Sequence, residues 1–388
     1  MVLRSKSYDV VVVGAGVTGL ATAFFLRELG IKSVALLSSG RYRNSTLNSA
    51  GFISGGQPDN YTRVHHAHGD KLAQSLWAYG DQGFEAMCAF AEEHQIPYAR
   101  RRRLRLLTTE HELKEATLAT SLLAQAGFDI TLLSKNNFGP LGAGISSEIL
   151  AIQDEGEKGG IVKISALMSC LEDLLAGQIH KLAVTSLEVE SGGIKASSSA
   201  GQSVRAEVCV LASHLASARL WPSLADALVP YTDQWHFARG PRDGEWGEPG
   251  IVFSLNHGHI WGATTNQRQI IIGGARFVRP LTGIGATKAE ADARIAPYLH
   301  KTLRAVFAWG DSLRLGPPHP SLDCWPCDEL PIIGPMPGEP RVLIATGYMG
   351  QGLAMGFRAG QSIANLISCG SCSSLPRELW PERFRNLS

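Results

Sequence analysis

Three glycines near the start of the chain carry the first recognisable chemistry. Gly14, Gly16 and Gly19 stand at G-x-G-x-x-G spacing within D-V-V-V-V-G-A-G-V-T-G, residues 9–19. The first glycine of such a pattern allows a tight turn, and the second lets the backbone approach a pyrophosphate. The third lets a helix pack closely on a strand. The free N–H groups of the helix start, with Val17 and Thr18 in its first turn, then face the phosphates. Glycine spacing alone is a weak signal, and the flanking elements supply its support. Residues 10–13 form a β-branched run suited to a strand buried on both faces, and residues 20–29 continue as a helix. Gly30 closes that helix and residues 33–37 supply a second apolar strand, which completes a βαβ unit.

The end of the second strand departs from the common dinucleotide pattern. A carboxylate is usual there, roughly 20 residues past the glycines, to accept the ribose hydroxyls. This chain has Ser38 and Ser39, with Arg41 and Arg43 just beyond. Serine bonds a ribose without charge assistance, so that contact is weaker. Arginines meeting a 2′-phosphate, as for NADP, form the alternative at this point.

The elements that must position this loop are bounded by composition. The chain has 388 residues, enough for two domains. Its net charge of +1 and 18% charged residues exclude a nucleic-acid partner as the organising theme. No run reaches the ~20 apolar residues of a membrane span. The first apolar run is the nucleotide strand itself, so no signal peptide is expected and the cytoplasm is the expected compartment. Arg100 to Arg103 with Arg105 make one basic run, read as a solvated or edge strand.

Residues 43–54 (R-N-S-T-L-N-S-A-G-F-I-S) resemble the second flavin motif of the D-amino acid oxidase superfamily, which includes glycine oxidase, sarcosine oxidase and D-amino acid dehydrogenase. The resemblance resumes at residues 159–167 (G-G-I-V-K-I-S-A-L) and 328–335 (D-E-L-P-I-I-G-P). It closes at residues 345–353 (A-T-G-Y-M-G-Q-G-L) and 359–367. It implies an α/β fold: a Rossmann-like FAD-binding domain interleaved with a smaller α+β substrate domain on a mostly antiparallel sheet. Residues 1–85, 150–220 and 315–388 are assigned to the first, and 86–149 and 221–314 to the second.

The same resemblance implies FAD as cofactor and hydride transfer from a carbon beside a neutral amine to flavin N5, followed by imine hydrolysis. Beyond the glycine loop, Ser38, Ser39 and Arg41, the implied cofactor residues are Thr46, Asn48, Ser49, Ala50, Gly51, Val184 and Ala212. Gly347, Tyr348, Met349, Gly350, Gln351, Gly352 and Leu353 complete them. The partner is a small amine or amino acid, in a homo- or hetero-oligomer or alone.

Several positions differ from the family. His214 replaces a glycine in residues 210–216 (V-L-A-S-H-L-A), which implies a different hold on the adenosine end. Asn48 and Ser321 stand where some members carry a histidine or cysteine that bonds the flavin covalently, so non-covalent FAD is expected. The position of the family's carboxylate-binding arginine is Asp323, counted without gaps. Arg276 and Arg314 are the alternative clamps, and Tyr348, His319 and Trp325 are the other side chains expected near the ring. An amine with a distal positive group suits Asp323, whereas an amino acid suits either arginine. Cys324/Cys327 and Cys369/Cys372 form two C-x-x-C pairs. They are read as thiols rather than a four-thiolate zinc site, and no metal is assigned. The rival to an amine or amino-acid oxidoreductase is a catalytically weak subunit of a hetero-oligomeric dehydrogenase.

Overall fold

The computed structural model of the chain describes residues 7–40, 45–240, 250–265 and 269–384. Its first sheet is built around the strand Ser7–Val13, which runs parallel to Val34–Ser38 on one side and Ser203–Leu211 on the other. Ile179–Lys181 extends the sheet at one edge, and Glu339–Thr346 followed by Ile332–Met336 at the other. The hairpin Val184–Glu190 and Gly193–Ser198 adds two antiparallel strands to Ser203–Leu211. Val10 and Val12 belong to one apolar cluster and Val11 and Val13 to another. Burial on both faces is why this strand is an unrelieved valine run.

The helix Val17–Glu28 starts inside the glycine motif, with Gly16 as its N-cap. It lies against the helix Ala354–Cys369 at backbone distance. A Cβ on Gly356 would sit 2.7 Å from Thr18 Oγ1, and one on Gly360 2.7 Å from the Thr22 nitrogen. The long helix Asp70–Glu93 covers the same side and ties Tyr79 to Ser362, hydroxyl to hydroxyl, at 3.0 Å.

The second sheet runs in the order Arg314–Pro326, Leu228–Arg239, Gln269–Gly274, Ile260–Thr264, Ile251–Leu255, Tyr98–Leu107, Ala151–Asp154, Thr131–Ser134. All its pairs are antiparallel except that between Ile251–Leu255 and Tyr98–Leu107. Phe52–Ser54 and Gly159–Val162 attach beside it. The two sheets therefore take their strands from alternating stretches of chain. Strand residues 52–54, 151–154, 159–162 and 315–326, assigned by sequence to the cofactor domain, hydrogen-bond into the second sheet or attach beside it.

The basic run is not a solvated edge. Tyr98–Leu107 is an interior strand, and its alternation buries Arg103 and Arg105 at 6% exposure each. Both pair with Glu155, Arg103 Nη1 at 2.8 Å and Arg105 Nε at 2.6 Å. Their remaining N–H groups donate to backbone carbonyls: Arg103 to Gly55 and Gln57, and Arg105 to Gln57 at 2.9 Å and Asp59 at 3.0 Å. One buried Arg–Glu–Arg group thus fixes the loop at residues 55–59. Burial lowers the Arg103 pKa to about 10.

Removing one partner of a buried ion pair leaves an uncompensated charge and costs about 3–5 kcal/mol. Glu155→Gln is therefore expected to lower unfolding stability by that amount in a urea titration. A change below about 1 kcal/mol, the range of exposed pairs, would show that the group does not hold the loop.

Candidate active site

Between the two sheets lies a cavity of about 1440 Å³. Its floor is the C-terminal ends of the parallel strands, where Val13 and Ala212 line it, and its roof is the second sheet. Ligands of open α/β sheets bind at such strand ends.

Gly14, Gly16, Val17 and Thr18 line the floor, and Gly19 does not. The three glycines have separate tasks. A Cβ on Gly14 (φ +117°) would sit 2.4 Å from the Ala212 carbonyl oxygen, and one on Gly19 1.7 Å from the Gly14 oxygen. Both are packing positions. A side chain at Gly14 would strike the backbone just past the neighbouring strand Ser203–Leu211. Only Gly16 opens towards the cavity, with Thr46 Oγ1 at 3.3 Å as the nearest atom to a Cβ there. No side chain from Gly16 caps the following helix, and Thr46 Oγ1 accepts the Val17 N–H at 3.1 Å.

Ser38, Ser39, Thr46, Asn48, Ser49, Ala50 and Val184 also line the cavity. Arg41 lies outside the described residues. Gly51 (φ +78°) does not reach the cavity, because its Cα faces the Val162 carbonyl, 2.7 Å from where a Cβ would stand. Gly347 (φ +75°) is likewise a turn position against Pro326. The next six residues, Tyr348 to Leu353, all line the cavity and lead into the helix Ala354–Cys369. Tyr348 accepts a hydrogen bond from Thr18 Oγ1 at 3.0 Å. Gln351 donates through Nε2 to Ser54 Oγ at 2.9 Å, while its buried Oε1 has no partner.

These features fit FAD. Two helix starts border the cavity, at Val17, whose N–H is held by Thr46 Oγ1, and at Ala354, where the N-cap Leu353 makes no side-chain bond; Gly16 leaves room for a phosphate, and Gln351 Oε1 is an acceptor without a donor. An orphaned buried polar atom is costly, and a ligand N–H satisfies it.

The roof is set by strand alternation. Tyr231, Asp233 and Trp235 point one way from Leu228–Arg239, and Ser321, Asp323 and Trp325 from Arg314–Pro326; all six line the cavity. In register, Tyr231 faces Asp323 and Asp233 faces Ser321. Arg276 lies 4.0 Å over the Tyr231 ring and lines the cavity, and its buried Nε has no partner. Arg314 is excluded from this wall. It is exposed at the start of its strand and donates to the carbonyls of Asp311 at 3.0 Å and Leu313 at 2.9 Å. His319 does not line the cavity and stacks on Trp235 at 4.1 Å.

Sequence reasoning missed Asp233 and Tyr231; Val229, Tyr231 and Trp235 recur at every second position, but Asp233 interrupts that apolar set. Burial raises the Asp233 carboxyl to about 6, against the Gln234 N–H and Arg276, which favour its charge.

His214, at the position of the family glycine, adopts the left-handed conformation itself (φ +54°). Its Nε2 meets Asp323 Oδ1 at 2.8 Å, and its Nδ1 meets Ser45 Oγ at 3.4 Å. Asp323 is therefore not a free anion awaiting a second amine. Burial opposes the imidazolium, but the Cys324 sulfur and the Asp323 carboxylate outweigh it and hold His214 well above its ordinary value. Burial also opposes the Asp323 charge, and the bonds from His214, the Cys324 N–H and Tyr231 hold that carboxyl below its ordinary value. The two side chains keep 26% and 28% of their surface accessible, and both line the cavity. All seven cysteines are free; Cys324 is buried and Cys327 exposed.

The chain matches the family described as FAD dependent oxidoreductase (DAO) over residues 9–366, and it belongs to that family. It is thus an FAD-dependent enzyme. Similar solved structures include glycine oxidase from Geobacillus kaustophilus, with 18% identity, a TM-score of 0.78, and coverage of 98% of this chain and 100% of that one. L-proline dehydrogenase from P. horikoshii shares 17% identity at a TM-score of 0.77, covering 98% and 99%. Iminodiacetate oxidase from Chelativorans sp. BNC1 shares 18% at 0.73, covering 96% and 98%. At these identities the likeness establishes the fold. No curated protein sequence matches the chain. Among the described residues no helix is long and apolar enough to cross a membrane.

The His214–Asp323 pair has a pH signature. The lowered Asp323 value stabilises the fold above the ordinary carboxyl value of 3.8, and that gain is lost as pH falls through the lowered value. The raised His214 value stabilises it below 6.5, and that gain is lost as pH rises through the raised value. The stability gap between wild type and Asp323→Asn is expected to be widest between about pH 4 and 6.5 and to narrow on both sides. A gap independent of pH in denaturant titrations would contradict the pairing.

Proposed function

We propose that the protein oxidises the C–N bond of a small α-amino acid, using one non-covalent FAD per chain. Bound FAD supplies a two-electron acceptor to the reaction. The residues to hold it are the Val17 helix start, Gly16 and Thr46 at the phosphates, and Gln351 with the turn at residues 348–353 at the ring system. Ser38 and Ser39 would meet the ribose.

The observation that carries the amino-acid reading is Arg276. Its guanidinium is stacked in place on Tyr231, borders the cavity and keeps a buried N–H unspent. A carboxylate is the group that completes such a donor. Asp323, the position that suggested a second amine, has its charge answered by His214. Asp233 stands on the same wall with a carboxyl near 6, suited to take the ammonium proton from a bound substrate so that the amine reacts neutral. Trp235, Trp261 and Trp325 line the surrounding wall and displace water.

Anaerobic reduction of the flavin absorbance by a panel of amino acids and their decarboxylated amines tests this reading. Arg276→Met is expected to weaken amino-acid binding by about 10- to 100-fold, the value of a charge-assisted hydrogen bond, and to leave simple amines nearly unchanged. Asp233→Asn should remove a rise in reduction rate centred near pH 6. Equal losses for acids and amines in Arg276→Met would refute the carboxylate clamp.

A further inference from the structure

A second cluster of chemistry-bearing side chains lies at the rim of the cavity, away from the residues assigned above. The helix Glu110–Gln125 carries His111 and Glu115 one turn apart, so both project from one face. Thr109 and Glu112 form a capping box that fixes this helix start. Opposite stands His257, in a turn where Asn256 (φ +48°) and His257 (φ +57°) are both left-handed although neither is glycine. That backbone presents the His257 ring to the helix: its Nδ1 is 2.6 Å from Glu115 Oε2, which is 3.9 Å from His111 Nδ1. The ligand atoms of all three side chains lie within 4.8 Å of one another.

We propose that His111, Glu115 and His257 form a binding site for a divalent ion of the zinc, cobalt or nickel class. Two imidazoles and one carboxylate are borderline donors that suit these ions better than magnesium or calcium, which take all-oxygen shells. With metal–ligand bonds of about 2.0–2.1 Å, tetrahedral ligands sit roughly 3.3 Å apart. The 2.6 and 3.9 Å separations lie on either side of that value and all three ligand atoms lie within 4.8 Å of one another, a spread that side-chain rotation would have to close. Asn60 Nδ2 donates to Glu115 Oε2 at 3.3 Å and would orient the carboxylate from outside the shell. His111, 76% exposed, leaves the fourth position to water. Binding exchanges the His257–Glu115 contact for two metal bonds and releases any proton held by the imidazoles.

The placement gives the ion a structural consequence. His257, Gly258 and His259 line the cavity, and Asn60 caps the helix Tyr61–His68. One ion therefore joins the cavity rim to the helix Glu110–Gln125, beside the loop held by Arg103 and Arg105. This site does not depend on the proposed substrate, and its failure leaves that reading untouched.

The test uses the flavin-loaded protein, dialysed against chelator and titrated calorimetrically with zinc chloride. One zinc per chain is expected, with a rise in melting temperature. Glu115→Gln and His257→Ala should each weaken binding by about tenfold or more and abolish that rise, while His68→Ala binds as the wild type does. The flavin spectrum and circular dichroism verify folding of each variant; if His257→Ala fails to fold, Glu115→Gln decides alone. No saturable zinc binding in the wild type, or equal affinity in Glu115→Gln, overturns the site.

Discussion

The architecture depends on one close approach of backbone to backbone. The Gly14 carbonyl oxygen lies where a Cβ of Gly19 would be, and Gly14 in turn lies against the Ala212 carbonyl. No other side-chain choice lets the helix Val17–Glu28 descend onto its strand while the third parallel strand closes from the other side. Gly356 and Gly360 repeat the same economy between Val17–Glu28 and Ala354–Cys369. Because these elements meet so tightly, the helix starts at Val17 and Ala354 border one cavity.

The roof is held by charge. Arg103, Glu155 and Arg105 are buried together and hold the carbonyls of the loop at residues 55–59, which also borders the cavity. Buried ion groups of this kind are expensive to assemble and costly to break. A second charged pair, His214 with Asp323, joins the end of the strand Ser203–Leu211 to the edge strand Arg314–Pro326. It links floor to roof. Arg276 and Asp233, the pair of groups assigned to the substrate, stand on the same wall, with the Arg276 charge favouring that of Asp233.

The glycine loop, the valine strand and the turn before the last helix were legible in the sequence because their constraints are local. A left-handed turn or a doubly buried strand demands particular residues within a few positions. The arginine run was misread because four adjacent arginines resemble a solvated edge. The burial of Arg103 and Arg105 follows from Glu155, about fifty positions away, which no local pattern reveals. The choice between Arg276 and Arg314 was equally non-local, since it rests on where the turn after the strand Gln269–Gly274 and the start of the distant strand Arg314–Pro326 lie relative to the cavity. Pro317, Pro318 and Pro320 obscured that register; they are accommodated because Arg314–Pro326 is an edge strand with only one partner. His214 was visible as a departure from the family, but its partner Asp323 was not.

The central claim is that FAD occupies this cavity with its phosphates at Gly16. Titration of flavin-free protein with FAD, followed by flavin fluorescence, tests it most directly when wild type is compared with Gly16→Val. One FAD per wild-type chain is expected, released on acid denaturation, with no measurable binding by Gly16→Val and an unchanged circular dichroism spectrum. Equal FAD affinity in the two folded proteins would contradict it.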